Sequence, residues 1–539
     1  MEGTGIHGAQ MILLLLLLFV AAFAALARRL QTPYPIVLVI AGLLLGFIPG
    51  IPKINLEPDL IFLVVLPPLL YAAAWVTSWR EFSHNLVSIA MLAFGLVGFT
   101  VLGVAIAGPW LFHGFDWRIG FVLGAAVATT DAIAATSIAK RIGLPKRIVD
   151  LLEGESLLND ATGLLALEFA VAMVVHGQNP TAGAGLLRLT YLIVAGIGSG
   201  LILARIVEWF EHRIDDGPIE IAVSILVPYA AYLTAEEIHA SGVLAVVAAG
   251  LYLGRRSSQF LSPSVRLQAG AVWDSLTFIL NGFVFVLIGL QLPSVLEGVS
   301  ELSPRRLIVY GVLFSIFLIL LRLLWTFPGA YVAYFIRTRL LHQKEKRPGV
   351  RQIFVVGWTG MRGVIALAAA MSLPQTIADG SPFPHRDLIV FLTFCVILVT
   401  LVFQGLTLPP LIRILGIAEA PGPKCEEQEA RRLVLEAAKA RLEDIRGSDP
   451  SGPAEVYDDL QQHYTHRLAS VSGLSHEENK THAEHYFRYL DLSRTLVEAE
   501  RSAALRLRDE SRITDEVLRE LEHELDLSET RLMAATERR

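Results

Sequence analysis

Thirteen apolar runs occupy residues 1–420, at about 11–27, 35–50, 59–76, 86–108, 119–139, 150–175, 185–207, 217–235, 240–254, 271–292, 306–336, 353–373 and 387–415. Most are long enough to cross the hydrocarbon core of a bilayer as a helix; 35–50 and 240–254 are short. Backbone groups in lipid must be satisfied within the chain, so each run is expected to be helical. Period-two alternation is absent, which argues against a β-barrel. The 539 residues are 53% hydrophobic and 18% charged, against about 25% charged in soluble proteins. From residue 421 the sequence turns to Glu, Arg and His and holds no span-length run. The net charge of −6 therefore averages two unlike parts and says little about partners. The expected fold is an all-α membrane domain over 1–420, followed by a helical cytosolic and regulatory domain over 421–539. Cys395 and Cys425 support neither a disulfide framework nor a thiolate metal site.

Lysine and arginine orient the spans. MEGTGIHGAQ lacks the basic residues of a signal peptide, although ALA at 25–27 resembles a cleavage site. With the N-terminus outside, the cytoplasmic loops hold Arg28/Arg29, Lys140/Arg141/Lys146/Arg147, Arg255/Arg256/Arg266 and the cluster from Arg337 to Arg351. The external loops hold scattered residues: Lys53, Arg118, Arg188, Arg305/Arg306 and Arg386. The tail is then cytoplasmic, and the expected location is a bacterial inner membrane.

Charged residues inside the spans point to chemistry. A carboxylate in hydrocarbon costs a few kcal/mol or more and is by default a functional candidate. Asp160 lies in LLEGESLLNDATGLLALEFAVAMVV (151–175), Asp131 in GAAVATTDAIAATSIA (124–139) and Arg362 in GWTGMRGVIALAAA (357–370). Glu155 and Asn159 are four apart, as are Ser156 and Asp160, so each pair stacks on a helix. The bland alternative is a helix facing a watery cleft with no specific ligand. Thr129, Thr130 and Asp131 lie among small residues, and GWTGMRG has three glycines in seven. Either segment is a candidate for an interrupted, ion-binding helix or for an intact helix with interfacial glycines. A buried Arg362 needs a partner; Glu155 is the first candidate and Glu153 the second. Asp160 is left as the acid free to change its load. A carboxylate that releases a proton and accepts a hard monovalent cation makes the two compete, provided burial and neighbours tune its pKa. One titrating acid beside the neutral Asn159 predicts one cation per proton, hence electroneutral exchange.

At these residues the chain resembles the monovalent cation:proton antiporter-1 family, the sodium/proton exchangers of bacteria and animals. TTDAIAATSIAKRIGLPKRIVDLLEGESLLNDAT (129–162), LPPLLYAAAW (66–75), PYAAYLTAEEIHASGVLAVVAAGLYLG (228–254), LNGFVFVLIGLQLP (280–293) and GWTGMRGVIALA (357–368) carry the resemblance in family order. It covers about residues 10–415. It implies thirteen helices built from inverted repeats, crossed discontinuous helices at Asp131 and 357–363, and a homodimer. It implies that Asp160 binds Na+ or H+, supported by Asn159 and Ser156 with Thr130 nearby, and that Glu155 bridges to Arg362. One departure concerns selectivity: many members carry an acid where this chain has Ala72.

Other residues have plainer readings. Glu168 lines an interface or snorkels, Glu220 sits at the cytoplasmic boundary, and His176, His212 and His239 lie near span ends. Arg322 is read as snorkelling, since 306–336 is longer than a span requires. In the tail, His463, His466, His476, His482 and His485 cluster, either as a pH sensor or as a solvated surface. Sodium (with lithium) is the expected cation and potassium its rival; the partners are that cation, protons and membrane lipid. A membrane sensor that binds ions without counterflow is the alternative from another class. No pore-loop filter, nucleotide-binding loop or HExxH motif is present, so no enzyme, cofactor or nucleic-acid partner is expected.

Overall fold

The computed structural model describes residues 5–48, 57–177, 182–214, 216–300, 302–417, 424–448, 453–471, 477–510 and 512–536. Among these residues the chain is helical, apart from turns and one isolated bridge between Thr376 and Pro382. It divides into two compact units, Met1–Glu419 and Ala420–Arg539.

In the first unit, α1 is Gly5–Arg29, α2 Tyr34–Gly46, α3 Pro58–Val76, α4 Trp79–Leu111, α5 Trp117–Ala126 and α6 Ala132–Ile142. Then come α7 Lys146–His176, α8 Ala182–Glu211, α9 Gly217–Glu237, α10 Gly242–Phe260, α11 Pro263–Gly298 and α12 Pro304–Leu340. The last three are α13 Val350–Trp358, α14 Val364–Met371 and α15 Arg386–Leu415. Eight helices among the described residues, α3, α4, α7, α8, α9, α11, α12 and α15, are long and apolar enough to cross a membrane. The expected runs at 119–139 and 353–373 fall outside that set because each is interrupted in the middle. The run at 35–50 falls outside because α2 has only 13 residues.

Local chemistry sets these boundaries. Asp116, Asp216, Ser241 and Ser262 precede helices and accept N–H bonds that the first turn leaves unmet. Gly143 ends α6 in the left-handed conformation, at φ +75°. Close helix crossings use missing side chains: a Cβ on Gly42 of α2 would lie 2.4 Å from the Val286 carbonyl oxygen of α11. Four helices contain a π-helical turn, at Ile61–Val65, Met91–Leu96, Ile336–Leu340 and Thr400–Gln404. Two apolar cores hold the unit together. One surrounds the helix interruptions, with Val127, Ile138, Leu367 and Phe391 buried. The other joins α3, α9 and α10 through Tyr71, Ala231 and Ala245.

The second unit comprises α16 Lys424–Ser448, α17 Ala454–Val471, α18 Glu477–Asp509 and α19 Asp515–Thr536. Ala483, Tyr486, Leu490, Val497 and Ala504 are buried along α18, a spacing of three, four, seven and seven that keeps one face on its neighbours. Arg501 ties α18 to Asp526 and Glu529 of α19. Cys425 and His476, named above, lie outside the described side chains.

Candidate functional site: a buried carboxylate between two interrupted helices

Residues 127–131 separate α5 from α6, and 359–363 separate α13 from α14. The two interruptions touch. The Asp131 backbone N–H donates to the Met361 carbonyl at 2.8 Å. The Asp131 carboxylate accepts from the Ile133 N–H at 2.7 Å and so caps α6. A Cβ on Gly363 would fall 2.6 Å from the Asp131 Cβ and Oδ2, so only glycine fits there.

Arg362 satisfies itself with carbonyls. Its Nε donates to Val127 O at 3.1 Å and its Nη1 donates to Gly360 O. Both acceptors lie just past helix C-termini, where unpaired carbonyls concentrate negative partial charge. Its backbone N–H donates to Thr400 Oγ1 in the π-helical turn of α15. The expected Glu155–Arg362 bridge is therefore corrected. Glu155 pairs with Arg322, whose Nη1 and Nη2 donate to its two carboxylate oxygens at 2.6 and 2.9 Å. Both side chains are 1% exposed, so Arg322 does not snorkel. Glu155 takes Arg322 because the α12 arginine presents a planar fork to both oxygens, while the bend at 359–363 turns Arg362 onto main-chain acceptors.

Behind the cleft, Thr130 Oγ1 donates to Glu155 Oε1 at 3.1 Å and accepts from Asn159 Nδ2. One lone pair of that hydroxyl remains. Asn159 is 1% exposed and does not line the cleft; Glu155 likewise sits in the supporting layer.

The cleft, of about 430 Å3, is lined by Thr130, Asp131, Ser156 and Asp160, and also by Ala72. Asp160 is 3% exposed, and among the described residues nothing donates a hydrogen bond to its carboxylate or pairs with it. The acids acting on it are Asp131 and Glu155. Thus Thr130, Asp131, Ser156 and Asp160 share one cavity wall, and Asn159 and Glu155 brace it.

Two cleft residues were missed or misread in the sequence. Glu211, at the end of α8, and Glu220, in the first turn of α9, are 4% and 3% exposed and line the same cavity. Glu220, read above as a boundary residue, does begin its helix, and it is also buried against the cavity. The Glu211 signal was masked by neighbouring charges; nearby Glu208 pairs with Arg256 at 2.7 Å. Glu168 is exposed and lies 3.5 Å from Arg188.

A family model for the transmembrane sodium/hydrogen exchanger matches residues 14–414. This chain belongs to the sodium/hydrogen exchanger family. An uncharacterized Na+/H+ exchanger of Mycobacterium tuberculosis is 33% identical over 98% of this chain and 97% of its own length. A sodium, potassium, lithium and rubidium/H+ antiporter of Bacillus subtilis is 30% identical over 96% of this chain and 78% of its own. The structure of the sodium proton antiporter MjNhaP1 from Methanocaldococcus jannaschii superposes with a TM-score of 0.58, covering 77% of this chain and all of that one at 20% identity. That likeness establishes the fold. Family membership makes the chain a multi-pass membrane cation/proton exchanger and confirms the resemblance read from its segments.

Proposed function

We propose that this exchanger carries Na+, with Li+ as a further substrate, in exchange for H+, and that both compete for the Asp160 carboxylate. The observation that carries this reading is a buried acid, facing a cleft, without a cationic partner among the described residues, beside an acid that has one. Glu155 is neutralised by Arg322. Asp160, with no cationic partner among the described residues, needs either a proton or a cation to offset its charge, because an uncompensated buried charge is costly. Ser156, the remaining lone pair of Thr130 and the Asp131 carboxylate supply further oxygen to a hard cation. An empty, ionised site resists crossing, which makes exchange obligatory; one carboxylate gives one cation per proton and no net charge movement. Asn159 orients Thr130 rather than binding the ion.

The proposal includes thirteen membrane-crossing segments in two inverted repeats, with the α5/α6 and α13/α14 pairs each counting as one. It includes a homodimer in the cell membrane that serves pH homeostasis, with the N-terminus outside and the C-terminal unit cytoplasmic and regulatory. Potassium is the rival cation. Ala72 offers no oxygen to the cleft, and the Bacillus subtilis relative is named for four alkali cations.

The test is proton flux driven by Na+, Li+ or K+ in proteoliposomes under a clamped potential, for wild type and Asp160→Asn. Flux that ranks the cations and vanishes in the variant supports the reading. Flux that survives Asp160→Asn moves the exchange site elsewhere, and binding without flux turns the protein into a sensor.

A further inference from the structure

A second cavity, of about 880 Å3, lies between the ends of α4, α7, α12 and α13. Its charge is opposite to that of the cation cleft. Arg147, Arg337, Lys346, Arg347 and Arg351 line it, against one acid, Glu345. Glu345 is already saturated. It accepts from Arg147, from Arg337 and from His84 Nε2, the last at 2.8 Å. Burial pushes its carboxyl up, but the bonds from Arg147 and His84 and the charges of Arg147 and Arg337 outweigh that and hold it below the ordinary glutamate value. Arg337 is 3% exposed and also donates to Gln343 at 2.8 Å, which fastens the 341–349 segment over the cavity.

Three cations are left over. Among the described residues no acid pairs with Lys346, Arg347 or Arg351. Arg347 lies over the Tyr331 ring at 5.2 Å, and Arg351 donates to the Leu415 carbonyl at 3.1 Å. α13 begins in the same cavity at Gly349, which supplies no side-chain cap, so its end adds positive partial charge. Excess positive charge in a cleft focuses its field on an anion. Arginine forks match phosphate oxygens. The inner wall is apolar, with Met91, Leu92, Ile148 and Val356. A cavity with a basic rim and an apolar wall at the ends of membrane helices has the character of a lipid headgroup site.

We infer that this cavity binds a phosphate-bearing anion, the headgroup of an anionic glycerophospholipid or a free phosphate, held by Lys346, Arg347 and Arg351. The site is separate from the exchange cleft and does not depend on which cation is carried. It does meet two helices of the exchange machinery at their ends. Arg147 opens α7, which carries Glu155 and Asp160, and Arg337 lies near the end of α12, which carries Arg322.

The test is native mass spectrometry and thermal unfolding of the delipidated full-length protein. The probes are phosphatidylglycerol, phosphatidylcholine and inorganic phosphate. The variants are wild type, Lys346→Gln/Arg347→Gln/Arg351→Gln, and a control Arg188→Gln outside the cavity. Wild type and control should retain phosphatidylglycerol over phosphatidylcholine and melt higher with it; the triple variant should bind it at least tenfold more weakly. A comparable shift with inorganic phosphate, lost in the triple variant, supports the site with free phosphate as its source. Equal retention of both lipids with no response to phosphate overturns the inference, as does undiminished binding by the triple variant. If the triple variant does not fold, Arg347→Gln and Arg347→Lys replace it: the first should weaken binding and the second restore most of it, and equal binding by the two overturns the inference.

Discussion

Glu155 and Asp160 stand five residues apart on one helix, both almost fully buried, and their surroundings treat them in opposite ways. The Glu155 side of α7 is saturated: Arg322 covers both oxygens and Thr130 adds a third donor. The Asp160 side opens onto a cleft shared with Asp131 and Ser156, and among the described residues no cation pairs with its carboxylate. Burial alone therefore does not mark the exchanging acid. Completeness of the shell does: a saturated carboxylate is a fixed part of the scaffold, and an unsaturated one retains an affinity to be filled.

The comparison breaks first at the saturated side. Removing one member of a buried pair leaves the other uncompensated, at about 3–5 kcal/mol. Glu155→Leu and Arg322→Met should each lower the thermal midpoint of the detergent-purified protein sharply. The double variant should lose much less than the sum of the two. Additive losses would mean that the pair is not coupled. At the unsaturated side the pattern should invert: Asp160→Asn abolishes cation-driven flux, with a midpoint equal to or above wild type. A strong destabilisation there would show Asp160 to be structural.

Gly363→Ala tests whether the cleft wall depends on the contact between the interruptions. Its Cβ would press on Asp131, an overpacking that costs about 1–3 kcal/mol, so flux and midpoint should both fall. Ala72→Asp sharpens the contrast by adding a further carboxylate to the cleft that Asp160 lines. Apparent cation affinity should rise severalfold, and no change would place position 72 outside the ion's reach.

The smallest effect lies in the C-terminal unit, where His466 meets His482 and His485 at ring distances of 5.0 and 5.6 Å. Burial, then the charges of His482, His485 and His463, hold the His466 pKa below its ordinary value. The folded unit therefore binds fewer protons than the unfolded chain. Its stability is present above about pH 6.5, the unperturbed histidine value, and declines as the pH falls below it. Hydrogen exchange over 454–509, corrected for intrinsic rate, should be faster at pH 5.5 than at 7.5. Equal protection would return these histidines to an inert surface.

Asp160, Asp131 and Ser156 were legible because polar residues stand out against apolar runs and helical spacing stacks them. The partner of Glu155 was not, because two arginines compete for it and the choice depends on a backbone bend that no spacing reveals. One signal was available. Arg322 lies 16 residues after position 306 and 14 before 336, about 24 and 21 Å from the two ends of the run at 1.5 Å per residue and so near its middle. An arginine at mid-run lies near the middle of the hydrocarbon core, where a charge by default faces the bundle interior and finds a partner there. Asn159 was placed on the right helix, but its task as a brace for Thr130 depends on where α5 ends. Glu211 gave no apolar contrast in EWFEHR, and only the packing of α8 against its neighbours buries it.

The bond between the Asp131 N–H and the Met361 carbonyl joins two segments 230 positions apart using main-chain atoms only. Replacing a side chain does not sever it. Nineteen of the twenty amino acids at position 131 would keep the donor, and proline alone would remove it. The join is thus insulated from most mutation, whatever a change of side chain at 131 does to the cap of α6 or to the cleft.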